Sequence, residues 1–256
     1  LDEPISQLIG FGNSRVKSLL FTGQQACGLL VCIRMYIFGI NRNNYYRRGS
    51  RPLLVGITGR RGVGKTTFSN SISRLLGEYS VTKISGREYF KWEEDHPAWK
   101  NIRQVDPHAT NLSRLTHDVV SLAEGKTIGA SKYDPRNRYF NRGHRILSAD
   151  FIIVSGLHAL YTSRLRNRMD LKIFIDCDDA LREHWEKESG KKVEQLGWAE
   201  EKKESASKIE SDEHRYIYSQ KEYADLSFKL CMLNPNASRS TGYDAVSYTH
   251  LRAHET

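Results

Sequence analysis

Gly59-Arg60-Arg61-Gly62-Val63-Gly64-Lys65-Thr66 follows the pattern G-x-x-x-x-G-K-[ST], a run suited to holding phosphate. Glycines let the backbone curl so that successive N–H groups point inward at phosphate oxygens. Lys65 offers a cation to the β- and γ-phosphates, and Thr66 offers a hydroxyl to Mg²⁺. A helix starting near Lys65 aims the positive end of its dipole at the same anion. The nucleotide-binding residues read from this pattern are Gly59, Arg60, Gly62, Val63, Gly64, Lys65, Thr66 and Thr67. Lys65 is the catalytic cation, Thr66 the metal ligand, and ATP and Mg²⁺ the implied cofactors.

Such a loop needs a strand before it and a helix after it. Leu53–Thr58 (LLVGIT) is a short apolar run, the pattern of a strand buried on both faces. Thr66–Leu76 carries Phe68, Ile72, Leu75 and Leu76 at helical spacing, and Gly77 follows as a stop. Val81–Ile84, Phe151–Val154, Leu171–Ile175 and Leu226–Leu230 read as further strands. Leu112–Ala123 reads as an amphipathic helix, and helices are expected around Asp179–Glu188 and Glu200–Tyr223. Strands alternating with helices predict an α/β fold of P-loop NTPase type, a doubly wound parallel sheet flanked by helices.

The same pattern divides the chain. Leu1–Asn44 reads as a helical N-terminal extension and Asn41–Pro52 as a polar, basic linker, so that residues 1–51 precede a P-loop domain at 52–238. Residues 239–256 are expected to be a disordered tail. Within it, Val246–Thr256 (VSYTHLRAHET) looks like translated sequencing adapter, is expected to be non-native from 246, and is set aside from fold reasoning. The chain opens on Leu1, not Met, which fits a reading frame cut from an incomplete assembly.

The composition, 39% apolar and 27% charged over 256 residues, can build a core, and the net charge of +9 favours anionic partners. The four cysteines show no C-x-x-C spacing and no histidine at metal-ligand spacing, so they read as free thiols in a reducing, cytoplasmic setting. Ala26–Ile40 is apolar but shorter than the roughly 20 residues a spanning helix needs, and it contains Arg34, so no membrane partner is expected. The basic stretch with Arg42, Arg47, Arg48 and Arg51 around Tyr45 and Tyr46 raises nucleic acid as a partner, but a run this short reads first as a solvated connection.

Downstream of the loop come Tyr89-Phe90-Lys91-Trp92, His96-Pro97-Ala98-Trp99, Asp106-Pro107-His108-Ala109-Thr110-Asn111-Leu112 and Tyr133-Asp134. Then follow Val154-Ser155-Gly156-Leu157-His158-Ala159-Leu160-Tyr161, Tyr216-Ile217-Tyr218-Ser219-Gln220-Lys221 and Ala224-Asp225. In this order and spacing the segments, from about Pro52 to Leu233, resemble the phosphoribulokinase/uridine kinase family. The resemblance implies a small-molecule kinase that moves the γ-phosphoryl group of ATP to a sugar or nucleoside hydroxyl with Mg²⁺. It places the acceptor near Tyr133 and Asp134, with His158 and Tyr89 as further contacts.

Three departures accompany the resemblance. Where the family carries an acidic catalytic base, this chain has Arg87 within Gly86-Arg87-Glu88-Tyr89. Glu88 is the substitute candidate: in a strand it would face away from the site, and in a loop it could turn inward. Where the family commonly has Glu near Mg²⁺, Ser155 stands; Asp176, ending the next strand, is a nearer carboxylate than Asp150, with helix capping as its rival role. Where the family's lid carries arginines, Lys187, Lys191 and Lys192 offer point charges without the bidentate fork. Arg182, just before them, is the candidate phosphate clamp; the rival reading for all four is a solvated helix face.

The expected function is an ATP-dependent kinase for a nucleoside or sugar (phosphate) hydroxyl, with Glu88 as base. The alternative is an ATP-binding module that has lost catalysis through Arg87 and Ser155. A nucleic-acid-coupled NTPase is the third reading. The expected partner is a small-molecule acceptor, with a homo-oligomer or a fused upstream domain left open.

Overall fold

The computed structural model describes residues 51–93, 96–134, 139–183, 206–232 and 245–251. The expected N-terminal helix, most of the basic linker and the three lid lysines lie outside them.

Strand β1 (Leu53–Gly59) leads through the glycine-rich turn into helix α1 (Lys65–Leu76), and β2 (Val81–Ser85) follows. Helix α2 (Leu112–Ala123) precedes a hairpin of β3 (Ile128–Asp134) and β4 (Tyr139–Ile146). Then come β5 (Phe151–Ser155), the short α3 (Ser163–Arg166), β6 (Leu171–Cys177), a helical stretch at 179–183, α4 (Ala206–Tyr216), β7 (Leu226–Met232) and β8 (Ala245–Leu251). The main sheet runs β2-β5-β1-β6-β7-β8; its first five strands are parallel and β8 is antiparallel to β7.

Side chains alternate across a strand, and here both faces are covered. Leu53, Val55 and Ile57 of β1 join Ile153, Ile173, Ile175 and Ile72 in one core. Leu54 joins Ile152, Val154 and the α2 residues Leu115, Val119 and Leu122 in the other. That is why LLVGIT reads as continuously apolar. With β1 between β5 and β6, the carboxyl end of β1 is the crevice where open α/β sheets bind ligands.

The expected parallel α/β sheet and its flanking helices are present. Three details differ from the sequence reading. The β3–β4 hairpin has no apolar run to announce it. The helix expected to reach Tyr223 stops at Tyr216, because the Gln220 amide donates to the Tyr216 carbonyl (2.8 Å) and the chain tightens into a 3₁₀ turn at Tyr218–Tyr223. The tail, expected to be disordered, supplies β8 on the outer edge of β7, where an open row of backbone groups accepts a stretch rich in β-forming residues.

Candidate functional site

The phosphate loop is shaped by its neighbours as much as by its own glycines. Gly59 has φ 149°, and a β-carbon there would overlap the Ile175 carbonyl of β6, so no side chain fits. Gly64 caps α1 in the left-handed region (φ 79°, ψ 19°), turning the chain directly into the helix. Val63 is fully buried and fixes the crown of the loop in the core. Thr66 and Thr67 are exposed in the first turn of α1. The loop is therefore a tight strand-to-helix turn, with Thr66 and Thr67 exposed directly after it.

The Lys65 ammonium donates to the carbonyl of Gly59 (2.8 Å) and to that of Arg60. Burial pushes it down to about 7; the Glu213 carboxylate pulls the other way, and Arg87 and Arg61 add to the depression. An arriving polyphosphate would oppose that depression, since negative charge favours the ammonium form.

Arg60 lies in the loop, but its side chain does not face the phosphate position. Its Nε donates to Glu213 Oε2 (2.9 Å) and its Nη1 to Asp179 Oδ1 (3.0 Å), with the guanidinium 5.5 Å from the Tyr218 ring centre. Burial opposes its charge, and the attraction and hydrogen bond of Glu213 outweigh that and hold the guanidinium above its ordinary range. Any part Arg60 takes in the expected phosphate cradle therefore falls to its backbone, since its side chain is committed to Glu213 and Asp179. Arg51, considered for nucleic acid, pairs with Asp170 through both terminal nitrogens.

The acceptor side begins at the end of β2, where Gly86–Tyr89 forms a 3₁₀ turn, neither strand nor open loop. The turn packs against Gly156 after β5: a β-carbon on Gly156 would sit 3.0 Å from Gly86 Cα. Within it Arg87 is exposed and Glu88 half-buried. Glu88 lines an open cleft of roughly 820 Å³ together with Tyr89, Trp92, His96, Arg114 and Ser131. Trp92 stacks on His96 and meets Trp99 edge-on, both with centres under 6 Å apart (5.8 and 5.6 Å), giving the cleft an aromatic wall.

Two of the segments that carry the resemblance hold turns together. Asp106 Oδ1 accepts from the His108 N–H (2.8 Å), and His96 Nδ1 accepts from the Ala98 N–H (3.2 Å). Asn111 caps α2 by accepting from the Arg114 N–H (3.1 Å). Proline at the first position of each 3₁₀ turn presets φ.

The remaining expected site residues are dispersed. The Tyr89 ring lines the cleft, but its hydroxyl donates to Asp118 of α2 (3.1 Å), and burial with that carboxylate holds the phenol well above its ordinary range. Tyr133 and Asp134 end β3, cross-strand from Phe140 and Tyr139, two residues beyond cleft-lining Ser131. His158 is 3% exposed. Its Nε2 lies 2.9 Å from the Val105 carbonyl, which can only accept, so Nε2 carries the proton and Nδ1 accepts from the Thr110 hydroxyl (3.4 Å). Burial pushes this imidazole down to about 4, so it is neutral at pH 7, and its polar atoms serve the protein, not a cleft. Arg182 is half-buried near the start of the helical stretch, with Nη2 3.4 Å from Asp179 Oδ1. Asp176 accepts from the Tyr218 hydroxyl (3.1 Å) and from the Cys177 N–H (2.9 Å).

Two residues given no role by the sequence reading organise the region. Glu213 is 2% exposed and holds Arg60. Gln220 accepts from the Thr58 hydroxyl (3.3 Å) and the Leu160 N–H (3.0 Å), and donates to the Leu157 carbonyl (2.7 Å). Its one amide ties the end of β1 to the loop after β5. Gln220 stands in a quoted segment and was readable as special; Glu213, in a charged run, was not.

The donor set fits Mg²⁺ only in the way a phosphate loop holds it. Among the described residues no cluster of three or more His, Cys, Asp or Glu could take a metal alone. Thr66, the expected metal ligand, is exposed in the first turn of α1 directly after the loop.

Comparison with known proteins gives a consistent result. The sequence model of the phosphoribulokinase/uridine kinase family matches residues 54–234. The chain is 26% identical to a phosphoribulokinase of Synechocystis over 70% of its own length and 54% of that protein. It is 34% identical to a uridine kinase of Macrococcus caseolyticus over 52% of its length and 66% of that protein. It thus spans about half to two thirds of the curated relatives it matches. Its fold is similar to that of a phosphoribulokinase from Rhodobacter spheroides, with TM-score 0.58 at 14% identity, covering 80% of this chain and 81% of the other.

Proposed function

The chain belongs to the phosphoribulokinase/uridine kinase family, and from that premise we propose that it transfers the γ-phosphoryl group of ATP to a hydroxyl of a small-molecule acceptor, a nucleoside or a sugar (phosphate). The observation that carries this reading is the Gly59–Thr66 turn, in which Gly59 is pressed against Ile175, Val63 is buried in the core and Gly64 leads directly into the helix that begins at Lys65.

In this reading the loop amides and the α1 dipole hold the phosphates, and Lys65 shifts from the loop carbonyls to the transferring oxygens. Thr66 would hold Mg²⁺ beside the phosphates, where the ion would supply neutralisation of the developing charge. The acceptor lies in the cleft against Trp92, and Glu88 takes the hydroxyl proton as it attacks. Tyr133 and Asp134 border the acceptor from the end of β3, and Arg182 closes on the phosphates. In this reading the kinase acts in the cytoplasm; among the described residues no helix is long and apolar enough to cross a membrane.

A second reading, an ATP-binding module without transfer, is favoured by Arg87 at the customary position of the base and by Ser155 in place of a carboxylate. Turnover of Mg²⁺-ATP against a panel of nucleosides and pentose phosphates separates the two. Transfer that falls about 10²–10³-fold in Lys65→Ala supports the kinase. ATP binding without transfer to any acceptor, with activity appearing only in Arg87→Asp/Ser155→Glu, establishes the module instead.

A further inference from the structure

Helix α4 touches both halves of the site through neighbouring carboxylates. Glu213 grips Arg60 of the phosphate loop at 2.9 Å, a pair with side chains 10% and 3% exposed. The adjacent Asp212 grips Arg103 at 3.1 Å, in the stretch that leads to Asp106 and Thr110 on the acceptor side. Consecutive residues on a helix point about 100° apart, so a single helix can hold two different loops only when it lies between them.

A second contact path runs parallel to the first. The Tyr216 ring at the end of α4 meets Tyr161 (6.4 Å), which meets His158 edge-on (5.7 Å), and His158 Nε2 holds the Val105 carbonyl. The acceptor-side stretch 101–111 is thus fastened to α4 at Arg103 and, through His158, at Val105 and Thr110.

We infer that Asp212 and Glu213 are paired positioning residues that couple the donor loop to the acceptor loop, so that nucleotide in the phosphate loop orders residues 101–111. The inference rests on the kinase reading for its ligand. The coupling is reciprocal, so an acceptor tightens nucleotide binding by the same factor. Neither carboxylate touches a reacting atom. Their action is on the backbone of each loop, through Arg60 and Arg103.

The test is amide hydrogen exchange of the full chain with and without saturating Mg²⁺-ADP. In the native protein, nucleotide slows exchange at 59–67 and also at 101–111. Asp212→Asn and Arg103→Gln keep the slowing at 59–67 and lose about two- to fivefold of it at 101–111, the range set by a half-exposed ion pair. Asp212→Glu restores it, and so does the swapped pair Arg103→Glu/Asp212→Arg. These variants alter a partly exposed pair and leave the buried Arg60–Glu213 pair in place, so folding is preserved. Equal slowing at 101–111 in all variants, or none there in the native protein while 59–67 is slowed, overturns the coupling alone. No slowing at 59–67 shows that nucleotide does not bind and overturns the kinase reading with it.

Discussion

The donor and acceptor halves of the site are built from different material. The phosphate loop is mainly backbone: Gly59 pressed against Ile175, Gly64 in the left-handed region, Val63 sealed in the core. The cleft expected to take the acceptor is mainly side chains: Glu88 on a 3₁₀ turn, Trp92 and His96 beyond it, Arg114 on α2 and Ser131 on the hairpin. A backbone cradle is defined by what cannot be substituted, because any β-carbon at Gly59 collides with a neighbouring strand. A side-chain cleft can change its chemistry one residue at a time while the fold stays put. Arg87 and Glu88 stand on such a turn, whose backbone packs against Gly156 whatever side chains it carries.

The largest expected effect breaks the comparison on the acceptor side. If Glu88 takes the acceptor proton, Glu88→Gln lowers kcat by about 10²–10⁴ while the ATP dissociation constant moves less than about twofold. Arg87→Ala under the same assay keeps most of kcat. Steady-state kinetics with a turned-over acceptor, alongside calorimetric ATP binding, reads both. An unchanged kcat in Glu88→Gln removes Glu88 as the base and leaves the acceptor half without an assigned proton acceptor.

The same difference in material explains what the sequence disclosed. Leu112–Ala123 is legible to the residue because helical spacing and the Asn111 cap agree. β1 and the loop are legible because apolar runs and glycines are local signals. The β3–β4 hairpin is not, since GASKYD and NRGHRI lack both apolar periodicity and a turn dipeptide. The Arg60–Glu213 pair was not legible either, because a position within a motif fixes its backbone and not its side chain. Glu213 was missed because nothing in IESDEHRY says which carboxylate faces inward. His158 looked like a ligand by its place in a segment, and only its two partners, Val105 and Thr110, show where its nitrogens point.

A smaller effect tests whether His158 belongs to the scaffold between the halves. Its folded-state value of about 4 lies below the ordinary 6.5, so the unfolded chain binds more protons between those limits. Stability therefore rises with pH across that window and falls as pH drops from 6.5 towards 4. The loss between pH 7 and pH 5 is about 2 kcal/mol if this group alone is counted. Chemical denaturation at pH 7 and pH 5 reads the difference. In His158→Gln the contribution disappears, so the gap between the two pH values narrows; an unaltered gap places the pH sensitivity elsewhere.

The smallest effect sharpens the donor side, where Lys65 is the one side chain whose charge state the loop controls. Burial holds its ammonium near 7, so at pH 8 it is mostly neutral in the nucleotide-free protein. The sign follows from linkage: between 7 and ordinary lysine values the unfolded chain binds more protons, and the nucleotide-free fold gains stability as pH rises. Polyphosphate reverses this locally, because the bound anion favours the charged form. Nucleotide binding at pH 8 should therefore take up close to one proton through Lys65, and at pH 6 almost none. Affinity should weaken by at most about tenfold per pH unit above 7. Titration calorimetry with Mg²⁺-ADP in two buffers of different ionisation enthalpy measures the uptake directly. Equal heats in both buffers at pH 8 would mean that Lys65 enters the complex already charged, and that the loop carbonyls of Gly59 and Arg60 stabilise its ammonium enough to offset burial.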